Sequence, residues 1–142
     1  MKVETYLHTS FENLHSKTQA AVGVFFAELR PGLSVYPAFS VRLKLRERLY
    51  LVPDVAVFQL TEPQQPVPET PPLIAIEVLS LDDKLTKLRQ KLEDYRVWGV
   101  PHIWLVDPHA KRLYTCDAGL VEVATLKIPE LGVEVTPADL FD

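Results

Sequence analysis

One acidic residue interrupts an otherwise apolar segment in the middle of the chain. Glu77 lies within residues 73–79, where every other residue is apolar. Such a segment is typical of a central strand that is covered on both faces of its sheet. An ionised carboxylate there is costly unless it is paired with a cation or coordinates a metal. Glu77 is therefore the first candidate for chemistry, and a strand-end glutamate that is exposed or paired with an arginine is the structural alternative.

A second carboxylate, Asp54, follows Pro53 between two apolar segments, residues 49–52 and 55–60. An aspartate in this setting is more often a turn or bulge residue than a ligand. Two carboxylates from neighbouring strands that converge on one point would nevertheless hold Mg²⁺, which prefers oxygen ligands and keeps several waters. The residue pattern leaves both interpretations open.

The segment after Ser80 supplies a possible third partner. Its apolar residues recur at helical spacing and define a predicted buried stripe of Leu81, Leu85, Leu88, Leu92 and Tyr95. At 100° per residue, Lys91 lies roughly 80° from the centre of this stripe, whereas Lys87 lies about 120° away and is expected outside any pocket. Lys91 is thus placed on the shoulder of the helix, within reach of the sheet edge. A boundary lysine that extends into solvent is the more usual interpretation of such a position.

The elements that must position these residues alternate between helical and strand patterns. We predict a first helix that starts near Ser10 and ends at Pro31, and a second that runs from Ser80 to about Trp98. Strands are predicted over residues 41–46, 49–60 (broken at 53–54), 73–79, 102–106, 112–116 and 120–126, with a short capped turn at 136–137. This order predicts an α/β or α+β fold with helices packed on a mixed central sheet.

Composition restricts the class of protein. A chain of 142 residues with 47% hydrophobic and 24% charged residues is expected to form one globular domain over residues 1–142. No apolar stretch is long enough to span a membrane and no signal peptide is visible, so we expect a cytoplasmic protein. The single cysteine, Cys116, excludes an internal disulfide and a multi-cysteine zinc site. The net charge of −4 counts mildly against a protein that coats nucleic acid.

Several short segments together resemble the Uma-two family, a family of proposed bacterial endonucleases in the PD-(D/E)xK, restriction-endonuclease-like superfamily. The matching positions, in order, are residues 52–57, residues 76–80, Lys91, Tyr95, residues 99–100 and residues 104–108. Their order and spacing make the resemblance specific, and it runs from about His15 to the end of the chain. It implies an α/β, restriction-endonuclease-like core.

The resemblance also assigns roles to individual residues. Asp54 matches the aspartate that follows the proline, and Glu77 matches the acidic residue of the central strand. The wider superfamily places its lysine two residues after that glutamate, where this chain has Leu79, and the family's lysine on the next helix matches Lys91. The backbone carbonyl of Val78 would be a further metal ligand. Glu28 on the first helix is a weaker candidate for an additional acidic residue.

The activity that the resemblance implies is Mg²⁺-dependent hydrolysis of DNA phosphodiester bonds, with Mn²⁺ as a possible substitute. A basic strand face at Arg42, Lys44 and Arg46 would then contact the DNA backbone, although a solvated strand face is the more usual case.

The rival hypothesis is a catalytically inactive nuclease-fold protein that acts as a dimeric or DNA-associating module. It is favoured by the acidic net charge and by a first helix that begins almost at the start of the chain, where relatives usually carry a longer segment. A further departure from the family is Lys87, which stands near a position that is acidic in many relatives. Exposed strand edges make a homodimer plausible under either hypothesis.

Overall fold

The computed structural model describes residues 3–29, 34–61 and 65–141, with the side chains of the first helix described from Asn13 onward. The helices are α1 (Val3–Glu28), α2 (Leu85–Trp98) and α3 (Pro137–Phe141). The strands are β1 (Val35–Phe39), β2 (Leu43–Arg46), β3 (Leu49–Leu51), β4 (Val55–Gln59), β5 (Ile74–Val78), β6 (His102–Asp107), β7 (Arg112–Cys116), β8 (Leu120–Val123), β9 (Leu126–Ile128) and β10 (Val133–Val135).

Six of these strands form one mixed sheet in the order β1-β4-β5-β6-β7-β8. The pair β5–β6 is parallel and is connected through α2, while the other neighbours are antiparallel. The remaining strands form two small antiparallel sheets, β2–β3 and β9–β10. The predicted α/β architecture, a mixed central sheet flanked by helices, is therefore confirmed. No helix within the described ranges is long and apolar enough to cross a membrane.

The sheet separates two apolar cores because successive side chains of a strand point to opposite faces. On one face Val22 and Phe26 of α1 pack with residues such as Val55 and Ile76. On the other face the core contains Leu88, Leu92 and Tyr95 of α2, together with Ala56, Ala75 and Leu105 of the sheet. In β4 the even-numbered residues therefore face α2, and in β5 the odd-numbered residues do so.

The central strand is β5, and all five of its residues are buried. Glu77 is included, with only 5% of its surface exposed. The interpretation of residues 73–79 as a strand covered on both faces is confirmed, and the alternative of a glutamate exposed at the strand end is wrong.

Both long helices begin at positions that differ from the prediction. The helix α1 starts at Val3 because no proline or glycine precedes Gly23, so nothing in the sequence stops it at Ser10. The predicted stop at Pro31 lies outside the described residues. The helix α2 starts at Leu85, because the Ser80 N–H donates to Asp83 Oδ2 at 2.8 Å and closes a separate turn. Leu81 and Leu85 consequently lie outside the core, with 60% and 55% of their surfaces exposed.

The strand β1 was not predicted, because Pro37 interrupts its pattern. A proline cannot donate to a strand ladder and is tolerated at a sheet edge. The strand β1 is an edge strand of the six-stranded sheet, and it pairs with β4 so that Pro37 lies opposite Val57. The predicted strand 49–60 is divided at Pro53 and Asp54 into β3 and β4, so that Asp54 immediately precedes β4.

Candidate active site

The register of β4 and β5 brings the two carboxylates together. Val55 lies opposite Ile76 in this antiparallel pair, so Asp54, one residue before β4, stands next to the end of β5 that holds Glu77. The side chain of Glu77 lies on the face that α2 covers, since Ala75 belongs to that core. The Asp54 carboxylate accepts a hydrogen bond from the Val78 N–H of β5 and also contacts His15 of α1.

Two residues of α2 bind the carboxylate of Glu77. The Lys91 Nζ lies 3.0 Å from Glu77 Oε1, and the Tyr95 hydroxyl donates a 3.0 Å hydrogen bond to Glu77 Oε2. Lys91 and Tyr95 are one helical turn apart, so one face of α2 presents both groups. Tyr95 is completely buried. Each oxygen of a buried carboxylate thus has a donor, which is the condition for keeping a charge inside a protein.

The surroundings of Glu77 make ionisation unfavourable. Burial is the main cause, and the negative charge of Asp54 adds to it; together they raise the pKa of Glu77 to about 7, although Lys91 opposes them. Burial beside Glu77 also raises the pKa of Tyr95, so that its hydroxyl keeps its proton and remains a donor. An elevated carboxylate pKa beside a second carboxylate is typical of sites that operate with a bound cation or move protons.

Lys91 connects Glu77 to the segment that precedes Asp54. Its Nζ donates a 2.7 Å hydrogen bond to the carbonyl oxygen of Val52 as well as contacting Glu77. A quarter of the Lys91 side chain is exposed. The ammonium therefore lies between Val52, which follows β3, and Glu77 of β5, and not in bulk solvent.

Asp54 is held by its backbone and by its side chain. Its Oδ2 accepts a 2.7 Å hydrogen bond from the Val78 N–H, and the His15 Nε2 lies 3.4 Å from the same oxygen. The Asp54 carbonyl accepts a 2.7 Å hydrogen bond from Gln19 Nε2. Because the N–H and C=O of a strand residue point to the same neighbouring strand, the Val78 carbonyl is also directed toward β4.

An open cleft of about 280 Å³ adjoins Glu77 and Lys91 at the beginning of α2. Its walls also include Asp82, Asp83, Lys84, Lys87 and Leu88. The expectation that Lys87 lies outside the pocket is therefore wrong. Side chains on a helix lean toward its N-terminus, so the long Lys87 side chain reaches the cleft that opens there. Asp54 does not line this cleft and lies on the side that faces α1.

The donor set suits a hard cation. Among residues of the described ranges, no group of three or more His, Cys, Asp and Glu is arranged to hold a metal ion. Two carboxylates and one peptide carbonyl are oxygen ligands, which match Mg²⁺ or Mn²⁺ with waters in the remaining positions and do not match a structural zinc site. Asp54, Glu77 and Val78 therefore fit the ion that the resemblance implies.

Glu28, the single cysteine and the basic strand face do not line this cleft. Glu28 lies 13 residues beyond His15 on α1, about 20 Å along the helix axis. Cys116 is buried on the far side of α2, beside Arg89 in a separate cavity of about 160 Å³. In the basic strand, Arg42 stacks on Tyr50 at 4.0 Å and Lys44 lies 3.7 Å from Glu69.

The sequence analysis missed two residues that contact Asp54. The four histidines have no metal-ligand spacing in the sequence, so neither His15 nor Gln19 is indicated by a motif. The available signal is their helical phase: residues 15, 19, 22 and 26 follow each other at steps of four, three and four, and the last two are core residues. Partly buried polar residues on the core stripe of a helix indicate a polar partner in the sheet.

The mixed sheet flanked by helices is the architecture that the restriction-endonuclease-like resemblance implies, and it carries Glu77 on its central strand and Lys91 on the helix that follows. The sequence model of the Uma-two family, described as "Putative restriction endonuclease", matches residues 8–141. The chain therefore belongs to this family.

A solved structure has the same fold. It is a putative nuclease belonging to DUF820 from Anabaena variabilis, with a TM-score of 0.79 and 20% sequence identity over 90% of this chain and 80% of that one. A search of curated proteins gives no significant match.

The raised pKa of Glu77 predicts how stability depends on pH. Between about pH 4.5 and 7 the folded protein holds a proton that an exposed glutamate releases, so the free energy of unfolding should fall as the pH rises. At about 1.4 kcal/mol per pKa unit, the loss is on the order of 3 kcal/mol. Urea unfolding in chelator at pH 5 to 8 measures it, and Glu77→Gln should remove most of the decrease.

Asp54→Asn is the matched variant for this measurement. It removes a charge that raises the pKa of Glu77 and keeps an oxygen that can accept from Val78, so the fall in stability should shrink without disappearing. A wild-type stability that stays level or rises over this interval would contradict the description of Glu77.

The hydroxyl of Tyr95 predicts a second stability effect. Tyr95→Phe keeps the ring but removes the donor to a buried carboxylate oxygen, so it should lower the free energy of unfolding by about 1–3 kcal/mol. Tyr50→Phe serves as the control, because this tyrosine is 39% exposed and its ring can still stack on Arg42. Equal unfolding free energies for the two variants would mean that the Tyr95–Glu77 hydrogen bond contributes nothing.

Proposed function

We propose that the protein is a Mg²⁺-dependent endonuclease that hydrolyses DNA phosphodiester bonds, with Mn²⁺ able to replace Mg²⁺. The family and the fold support the broader class of nuclease. The observation that carries the specific proposal is the buried Glu77, which lies 3.0 Å from the Lys91 ammonium and is close enough to Asp54 for the two negative charges to repel each other. A strand that served only for packing would not require a carboxylate, a lysine and a tyrosine in this arrangement.

Asp54, Glu77 and the carbonyl of Val78 are the proposed metal ligands. A divalent cation bound there would polarise the scissile phosphate and lower the pKa of a bound water. Two carboxylates that repel each other attract such an ion, and the Val78 N–H fixes Oδ2 of Asp54. Tyr95 fixes the other carboxylate by donating to Oε2 of Glu77.

Lys91 is the proposed electrostatic group of the site. Its Nζ lies beside Glu77 and at the cleft, so it can orient a water or stabilise the negative charge that develops on the phosphoryl oxygens. Its contacts with Val52 and Glu77 fix the ammonium before substrate arrives. A group that is already oriented does not lose rotational freedom during the reaction.

The cleft at the start of α2 is the proposed path of the DNA backbone. Lys84 and Lys87 line it and are exposed, and among the described residues neither forms an ion pair. Lys87 precedes Lys91 by four residues, about 6 Å along the helix. This spacing is comparable to that between neighbouring phosphates of a nucleic-acid strand, so Lys87 is positioned for a phosphate beside the scissile one.

The second candidate function is a nuclease fold without turnover, acting as a dimeric or DNA-associating module. The observation in its favour is that Lys91 is engaged by both Glu77 and Val52, so its ammonium is partly neutralised. Asp82 and Asp83 in the cleft and the net charge of −4 also oppose a polyanion. A homodimer through the exposed edges of β1 or β8 stays a proposal under either function, and cytoplasmic localisation stays an expectation.

Lys91→Met distinguishes enzyme from inactive module. With Mg²⁺ or Mn²⁺, plasmid nicking should fall about a hundredfold or more, the scale expected for losing an oriented electrostatic group. Calorimetry should show Mn²⁺ affinity near or above that of wild type, because a competing positive charge is gone. Gel-based nicking on supercoiled plasmid and titration with Mn²⁺ measure the two effects.

The control for this variant is Arg89→Met. Arg89 also lies on α2 and is exposed, but it lines the separate cavity beside Cys116. Its replacement should leave nicking unchanged. Equal losses from both variants would indicate general attraction of DNA to the helix, and no nicking by wild type with either metal on double- or single-stranded DNA would favour the inactive module.

Lys87→Gln tests the proposed path of the DNA. Each phosphate contact adds about 0.9 to the slope of log affinity against log salt for duplex DNA and about 0.7 for single strands. Measured by fluorescence anisotropy without metal, the slope should drop by about this amount in Lys87→Gln. Lys127→Gln is the control, since Lys127 lies near Glu134 in the β9–β10 hairpin. An unchanged slope in Lys87→Gln would place the DNA elsewhere.

A further inference from the structure

We propose that His15 and Gln19 of α1 are positioning residues that hold Asp54 in its metal-binding orientation. This inference rests on the proposed function. It assigns a role in the site to two residues of the first helix that the family resemblance does not name, since the only candidate it placed on that helix is Glu28.

The contacts come from one face of α1. His15 Nε2 lies 3.4 Å from Asp54 Oδ2, and Gln19 Nε2 donates to the Asp54 carbonyl at 2.7 Å. Residues four apart on a helix are neighbours on its surface. The same stripe continues to Val22 and Phe26, which are 1% exposed and anchor α1 on the sheet. The apolar half of the stripe thus fixes the distance between the helix and Asp54.

Gln19 and Ser40 hold the peptide of Asp54. The Ser40 N–H donates to the same Asp54 carbonyl at 3.2 Å, and Gln19 Nε2 lies 3.4 Å from Ser40 Oγ. Asp54 stands one residue before β4, where the ladder with β5 has not begun. These bonds supply the backbone order that the strand itself does not provide at this position.

His15 acts on the side chain. A distance of 3.4 Å exceeds that of a well-formed N–H···O hydrogen bond, so the imidazole limits the rotation of the carboxylate without binding it tightly. Restricting this rotation matters because the negative charges of Asp54 and Glu77 repel each other and the Asp54 side chain is 23% exposed. Without the ring on one side and the Val78 N–H on the other, the carboxylate could turn into solvent.

A simpler explanation is that His15 and Gln19 are boundary residues of α1 that find a polar neighbour. In that case their loss would change stability and leave metal affinity unaltered. Groups that orient a metal ligand behave differently, since their replacement typically costs ten- to a hundredfold in metal affinity or activity.

The test measures Mn²⁺ affinity of the full chain by calorimetry, with thermal unfolding in chelator run beside it. His15→Leu should weaken Mn²⁺ binding by about tenfold or more. His15→Gln should bind near wild type, because the glutamine amide can place a donor close to the position of Nε2. Gln19→Leu should weaken binding as well, and it provides a second variant if His15→Leu does not fold.

His102→Leu is the matched control. His102 Nε2 lies 2.8 Å from Glu130 Oε2, so it is also a histidine beside a carboxylate. It stands at the first residue of β6, opposite Ile74, whereas Glu77 lies near the other end of the parallel pair. Its loss should change thermal stability and leave Mn²⁺ affinity unchanged.

The Mn²⁺ affinities of these variants support or overturn the positioning role of His15 and Gln19. Weak binding by His15→Leu with recovery in His15→Gln supports the role in positioning Asp54. Wild-type affinity in His15→Leu and Gln19→Leu overturns it and leaves the proposed function intact, and equal weakening in His15→Leu and His15→Gln overturns the contact through Nε2. If the wild-type protein binds no Mn²⁺, the proposed metal site fails and this inference fails with it.

Discussion

The ionic contact between Glu77 and Lys91 is the constraint on which the rest of the site depends. A carboxylate in a central strand has lost its water, and removing the partner of a buried charge typically costs 3–5 kcal/mol. The second donor comes from Tyr95, so α2 must present two groups one turn apart toward the same strand. The position and rotation of α2 on the sheet are therefore fixed by the contacts of Lys91 and Tyr95 with Glu77 as well as by the packing of Leu88 and Leu92.

The contacts from Lys91 and Tyr95 do not fully offset the burial of Glu77, whose pKa is raised to about 7. Lys91 lowers the pKa of the carboxyl, but burial and the charge of Asp54 outweigh it. A protein selected only for stability would gain from an apolar residue at this position, since well-packed hydrophobic residues often replace buried ion pairs without loss. Residues that lower stability in this way tend to occur where function requires them. Under the proposed function, a divalent cation supplies the positive charge that Lys91 alone does not.

The parts of the site that the sequence predicts are those controlled by local pattern. Glu77 stands out because a charge interrupts an apolar strand, and Lys91 because it lies on the shoulder of a helix that follows that strand. Lys87 was misplaced because a helical wheel treats a helix as an endless cylinder, whereas the cleft opens at its first turn. His15 and Gln19 could not be predicted because their partner, Asp54, is 35 or more residues away in sequence. Only the packing of Val22 and Phe26 on the sheet brings α1 close to Asp54. Strand β1 could not be predicted because a proline within a strand is acceptable only when that strand lies at the edge of its sheet. Which strands lie at the edge is decided by the assembled sheet and not by the local sequence.

The distribution of charge over the surface is compatible with the proposed binding of phosphates by an acidic chain. The net charge of −4 describes the whole surface, while a substrate responds to the charges within about a Debye length, about 8–10 Å. Lys84, Lys87 and Lys91 line the cleft together with Asp82 and Asp83. Cations along the proposed backbone path would attract phosphates locally, and the acidic remainder would keep non-specific affinity for DNA low. Under the proposed function, productive binding would then depend on a metal ion between Asp54 and Glu77, because that ion converts the most negative point of the site into one that a phosphate can approach.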